Sequence, residues 1–218
     1  MRDVPGDRGD PGLPMPCRNP WDWSLVGERM IIALDRKSQD CVDHGCLQLR
    51  TPLTRYARNE GVFWVMDNGA YSSFDPSGFH RMASQGFGDE FCKWIALPDI
   101  PLDHNKTLDL FLWWHARFSK EWIPTRDRIN AKSAFVIQDG ATIEEIPWGM
   151  IGAVFLGGST EFKLSRKAWE ILEVAREEEK WVHIGRVNTP ARIMHFHGLA
   201  DSIDGSGIAR FDHMLDVA

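Results

Sequence analysis

The chain has 218 residues, 43% of them hydrophobic, the size and composition of one globular domain. Its formal net charge of −6 is the wrong sign for a protein that binds nucleic acid over its whole surface, so any such contact must come from a local basic rim. No run of about 18 apolar residues and no charged-then-apolar leader occurs, which argues against a membrane span and a secretory signal.

Residues 1–23 are rich in Pro, Gly, Asp and Arg and predict an irregular segment, with Trp21 and Trp23 as anchors against the body. Residues 24–218 predict a single α/β-barrel domain. Met30 to Leu34 reads as a short buried strand ending at Asp35. Thr51 followed by Pro52 predicts a capped helix start, running to about Asn59 and closed by Gly61. Phe63 to Tyr71 and Trp94 to Asp99 are strands, and Thr107 to Trp122 carries apolar residues at helical spacing. Ala134 to Gly140 and Gly152 to Gly158 are the next strands. Ser165 to Lys180 is the clearest helix, with Ala168, Ile171, Leu172 and Ala175 in one stripe. Trp181 to Gly185 is a strand, Thr189-Pro190 starts a helix to about Leu199, and Ser202 to Gly207 is the last strand with its turn.

Strands alternating with helices predict a parallel α/β architecture. Seven strands are recognisable. The expected fold is therefore a (β/α)8 barrel, either incomplete or with its eighth strand hidden in residues 13–26. A doubly wound open sheet competes, but no G-x-G-x-x-G turn follows the first strand.

In barrels and doubly wound sheets, chemistry sits at the carboxyl ends of the strands. Asp67, Asp99, Gln138, Gly157, Gly158 and Asp204 all occupy such ends and predict one common mouth. Asp67, in Asp-Asn-Gly, is either an acid/base carboxylate or turn chemistry. Asp99 is either a helix cap or an acceptor of two parallel donors, such as a guanine-like edge offers. Gln138 bonds a ligand or props a loop. The Gly157-Gly158 pair allows close approach and offers N–H groups. Asp201 and Asp204 are rivals for a nucleophile at an anomeric carbon. Of the two, Asp201 is expected to face away, because three positions separate the pair on a strand.

Cys17, Cys41, Cys46 and Cys92 lack paired spacing, which predicts reduced thiols and no structural zinc. His183, His195, His197 and His213 invite a metal reading but are expected to be surface or partly buried histidines. Ten tryptophans suit packing, with one or two as candidates to stack on bases.

Taken in order, these segments resemble the tRNA-guanine transglycosylase superfamily, and most of all its DNA-directed branch, the 7-deazaguanine transglycosylases of phages and bacteria. The strand end at Met66–Tyr71 is similar to the family's Asp-Ser-Gly-Gly/Ala-Phe, and Trp94–Asp99 to its next aspartate-bearing strand. Phe135–Gly140 resembles Val-Gln-Gly-Gly, and Gly152–Leu164 resembles the Gly-Gly strand and its polar turn. Val182–Ile193 resembles Met-Gly-Val-Gly-x-Pro, and Ala200–Gly207 resembles the closing Asp-x-Phe-Asp. The resemblance covers roughly Phe63 to Phe211. Asn68 stands where the family has serine, Tyr71 where it has phenylalanine, and the zinc-binding cysteine motif of the tRNA enzymes is missing.

The resemblance implies a (β/α)8 barrel that swaps guanine for a 7-deazaguanine through a covalent sugar–aspartate bond. It implies Asp204 as nucleophile and Asp67 as acid/base. Asp99, Gln138, Gly157 and Gly158 would recognise the base. Arg186, Arg192, Arg210 and Lys163 would form a basic rim for DNA. No cofactor is implied. DNA and a free 7-deazaguanine are the expected partners, in the cytoplasm of a bacterial or phage-infected cell, with a homo-oligomer or a partner subunit left open. Two other readings stand beside it: a barrel enzyme acting on a small sugar phosphate, and a catalytically inactive nucleic-acid-binding relative.

Overall fold

Eight short parallel strands close on themselves in sequence order, each bonded to the next and the last to the first. The structure is a computed structural model and describes residues 30–43, 45–54, 56–121 and 126–205. The predicted irregular segment, Trp21, Trp23, Cys17, Trp122, Arg210 and His213 lie outside the described residues, as do Ser206 and Gly207.

In chain order, β1 (Ile31–Leu34) leads to α1 (Ser38–Asp43), then β2 (Leu47–Arg50) and β3 (Trp64–Met66). Next come α2 (Pro76–Gly88), β4 (Cys92–Ala96), α3 (His104–Glu121), α4 (Arg126–Lys132) and β5 (Ser133–Ile137). The chain continues through β6 (Ala153–Leu156), α5 (Thr160–Lys163), α6 (Arg166–Glu177), β7 (Trp181–Ile184), α7 (Pro190–Phe196) and β8 (Ser202–Asp204). No described helix is long and apolar enough to cross a membrane.

The expected barrel is therefore complete. Its missing strand is β2, not a segment of residues 13–26. Leu47 and Leu49 face the barrel interior, while the buried side chain of Gln48 donates to the Arg36 carbonyl at 2.8 Å and accepts from Ser38 Oγ at 3.2 Å. A strand whose alternate positions are Gln and Arg lacks the unbroken apolar run of a parallel strand, and so it escapes the pattern.

The helix expected from Thr51 is a correction of the opposite kind. Thr51 Oγ1 accepts from Leu53 N at 3.1 Å, and Thr54 N donates to the Thr51 carbonyl at 3.0 Å, closing a single turn. Leu53 and Tyr56 are exposed, so a helix here would have no apolar face to bury. Elsewhere the start signals hold. Thr189 caps α7, Ser165 caps α6, and Ala168, Ile171, Leu172 and Ala175 are the buried stripe of α6.

Two apolar layers result. The outer one lies between strands and helices and includes an aromatic run of Phe79, Phe87, Trp114 and Phe118, with ring centroids 5.0 to 6.2 Å apart. The inner one fills the barrel with Ala33, Ala96, Ala134 and Ala153 around one large indole, Trp94. Four alanines make room for that indole, the volume matching a packed barrel demands. Phe155 and His183 sit beside Trp94, the three ring centroids 4.7 to 5.9 Å apart.

Candidate active site

At the carboxyl ends of the strands opens a pocket of about 140 Å³. Asp67, Asp99, Gln138, Gly157, Gly158 and Asp204 all line it, together with Asn68, Tyr71, Phe155, Lys163 and Arg186. Five strand ends, those of β3, β4, β5, β6 and β8, therefore deliver these residues to one place, because parallel strands point their carboxyl ends the same way.

Asp204 ends β8 and is held at both oxygens. Oδ1 accepts from the Arg186 backbone N–H at 2.8 Å, and Oδ2 lies 3.0 Å from His183 Nε2. His183 is fully buried, and its Nδ1 lies 2.8 Å from Ser202 Oγ. Trp181 Nε1 in turn donates to that hydroxyl at 2.8 Å. A carboxylate oxygen only accepts, so His183 Nε2 donates to Asp204 Oδ2. His183 is thus neither a surface nor a partly buried histidine. It is the group that orients Asp204, and it is a correction to the expectation. The signal for it was a polar residue on β7, two positions before Gly185, where a barrel interior demands an apolar one.

Asp201 sits at the other end of β8. Its oxygens accept from Arg176 Nη1 at 2.6 Å and from Val182 N at 2.8 Å, which ties α6 and β7 to the strand's start.

Asp67 follows β3. Its Oδ1 accepts from Gly69 N at 3.0 Å, closing the turn that Asp-Asn-Gly predicts. Burial pushes its pKa up to about 6, against the Gly69 hydrogen bond, with the charges of Asp204 and Asp99 adding to the rise. A carboxyl group in that range can both give and take a proton near neutral pH.

Asp99 is propped from two sides. Asn68 Nδ2 donates to Oδ1 at 2.8 Å and Gln138 Nε2 donates to Oδ2 at 2.7 Å. Burial raises its pKa, and these two bonds oppose the rise. Gln138 Oε1 also accepts from Leu102 N at 2.9 Å. Gln138 therefore lines the pocket and props a loop at once. Asn68 has its own Oδ1 bonded to Ala70 N at 2.7 Å.

Gly157 and Gly158 differ. Gly157 N–H already donates to the Ile137 carbonyl at 3.0 Å, so its expected offer to a ligand is withdrawn. Its value is closeness: a Cβ there would stand 2.9 Å from Gln138 Nε2. Gly158 has φ +79, and its N–H has no hydrogen-bond partner among the described residues.

The expected basic rim is only partly a rim. Lys163 is 7% exposed and donates to the Gly185 carbonyl at 2.7 Å, so it belongs to the pocket wall. Burial and the neighbouring Arg186 charge push its pKa down to about 8. Arg186 is exposed, with its guanidinium 4.3 Å from the centroid of the Tyr71 ring. Arg192, on α7, is close enough for its charge to lower the Lys163 pKa. No described tryptophan lines the pocket; the aromatic surface comes from Tyr71 and Phe155. Among the described residues no group of three or more His, Cys, Asp or Glu is placed to hold a metal ion.

No family model matches the chain, and no curated protein matches it in sequence.

Proposed function

We propose that the chain exchanges bases in DNA, removing a guanine and installing a 7-deazaguanine through a covalent aspartyl-sugar intermediate. The observation that carries this reading is the convergence of three differently held carboxylates on one mouth: Asp204 clamped by His183 and Arg186, Asp67 with a pKa near neutrality, and Asp99 propped by two amides. The choice of a 7-deazaguanine rests on the resemblance of the motifs.

Each oxygen of Asp99 keeps a second lone pair, so the carboxylate can accept the N1–H and N2–H edge of guanine while still propped. Gly158 N–H suits the base carbonyl. Tyr71 and Phe155 offer apolar surface to a planar ring.

Asp204 attacks C1′ of the sugar. The C1′–N9 bond breaks with its electron pair leaving on guanine, and the Asp67 carboxylic acid gives that base a proton. Asp67, now a carboxylate, takes the N9 proton of the incoming base. That nitrogen attacks C1′ and releases Asp204. Lys163 and Arg186 contact the flanking phosphates. A base inside a duplex must first be unstacked, so single-stranded or opened DNA reacts faster.

The test is incorporation of a labelled 7-deazaguanine into DNA. Asp204→Ala abolishes incorporation and any trapped protein–DNA adduct while free-base binding persists. Asp201→Ala retains exchange. The reverse pattern would move the nucleophile, and base binding without exchange in the parent protein would make the chain an inactive relative.

A small sugar phosphate is the second reading. It is favoured by Lys163 and the Gly158 N–H on one side of the pocket. Thermal protection by a sugar phosphate and none by a deazaguanine would select it.

A further inference from the structure

A second cavity lies outside the barrel wall, between the loop that follows β2 and the flank of α2. Its volume is about 580 Å³, larger than the pocket at the mouth. In a regular (β/α)8 barrel a helix follows each strand and covers this wall. Here no helix is described between β2 and β3, so the outward side of β2 and the flank of α2 line a groove instead.

Most of the charge in that lining is positive. Arg50, Arg58 and Arg81 reach the groove, and Asp89 is the one carboxylate among its lining residues. Asp89 is already engaged. Its Oδ2 lies 2.6 Å from Arg58 Nη2 and accepts from Trp64 Nε1 at 3.0 Å, while Oδ1 accepts from Phe91 N at 2.9 Å.

The arginines are not satisfied by this one partner. The guanidinium carbons of Arg50 and Arg58 each lie 5.8 Å from the centroid of the same ring, Trp64. Arg50 Nε and Arg58 Nη1 are buried donors with no acceptor among the described residues. Burial and the charge of Arg58 both push the Arg50 pKa down. Arg81 comes from α2, is exposed, and makes no ion pair among the described residues. Like charges held around one ring, with donors unspent, suit an acceptor that arrives from outside the chain. A phosphate holds its oxygens tetrahedrally and so meets planar forks converging from separate elements, whereas the two oxygens of a carboxylate lie in one plane.

We propose that this groove is a phosphate-binding site, with Arg50, Arg58 and Arg81 as its ligating residues. The phosphate belongs either to a free phosphate compound or to a polynucleotide backbone. One end of the groove, at Thr51 and Pro52, adjoins the Gly69 turn beside Asp67, so a strand held at the mouth has a path to it.

The experiment titrates the full chain with inorganic phosphate, against chloride at matched ionic strength. It follows the melting temperature and the arginine Nε–H signals by NMR. A thymidine-only oligonucleotide forms a second arm, because it carries backbone phosphates but no guanine for the mouth. A saturable rise in melting temperature, with movement of the Arg50 Nε–H signal, is expected. Arg81→Glu is expected to weaken phosphate about tenfold, because it reverses a charge on an exposed side chain, without changing the melting temperature in chloride. Tighter binding of the oligonucleotide, lost in the same variant, assigns the phosphate to a backbone; tighter inorganic phosphate assigns it to a free compound. No saturable response in either arm would overturn the proposal, as would responses undiminished in both Arg81→Glu and Arg58→Gln. Neither arm reads base exchange, so failure here is distinct from failure at the mouth.

Discussion

Asp99 is held by two side-chain N–H groups, one on each oxygen, and that makes it intolerant of its own amide. In Asp99→Asn the new NH2 must face either Asn68 Nδ2 or Gln138 Nε2, donor against donor. The variant is expected to bind guanine or a deazaguanine at least about tenfold more weakly and to lose about 1–3 kcal/mol of stability. Calorimetric titration with free base and a thermal melt check the two effects separately. Asp67 gives a pH signature of the opposite sense. Its folded pKa of about 6 lies above its ordinary value of 3.8. Below both values each state is protonated and nothing is lost. As pH rises from about 4 to 6 the unfolded chain releases the proton and the folded one keeps it, so stability falls with pH, by on the order of 2 kcal/mol. Asp67→Asn removes that loss. It is expected to unfold at higher urea than the parent at pH 7 and to gain less, or nothing, at pH 4. A gain equal at both pH values would contradict the shift.

Two of the loops between strand and helix place a non-glycine residue in the left-handed region at the pocket wall. Leu102 (φ 66) aims its N–H at Gln138 Oε1, and Arg186 (φ 59) aims its own at Asp204 Oδ1. Each conformation costs about 1–2 kcal/mol for a residue with a Cβ, and each delivers a donor to a site side chain. Arg186→Gly keeps the N–H and relieves the strain. It is expected to raise stability by about 1 kcal/mol in denaturant unfolding while weakening DNA binding measured by anisotropy. Equal DNA affinity would remove the guanidinium from the interface. Much of this framework was legible in the sequence. Asp67, Asp99, Gln138, Gly158 and Asp204 stood at the ends of apolar runs, and such runs in a parallel sheet can point only one way. The parts that escaped depend on contacts across the chain. β2 hid because Gln48 finds its partners on Arg36 and Ser38, not in its own segment. His183 hid because its meaning comes from Ser202 and Asp204 on the neighbouring strand. Lys163 read as a rim residue because burial cannot be seen in a polar turn.

The whole molecule carries a net negative charge, and its mouth sets Lys163 and Arg186 beside three carboxyl groups, Asp67, Asp99 and Asp204. Binding of a short single strand at the mouth is therefore expected to depend only mildly on salt. Two cations there, Lys163 and Arg186, correspond to a slope of roughly −1 in log K against log salt. Fluorescence titration of a guanine-containing oligonucleotide between low and moderate salt measures it, and a slope near zero would detach those residues from the phosphates. A last consequence comes from the chain of bonds that runs from Trp181 at the start of β7, through Ser202 and His183, to Asp204 at the mouth. Esterifying Asp204 to a sugar would take the negative charge from the far end of that line, and the indole at the near end would register the altered polarity in its emission. Under base exchange the protein thus contains an optical gauge of its own covalent state, readable in stopped flow without any label.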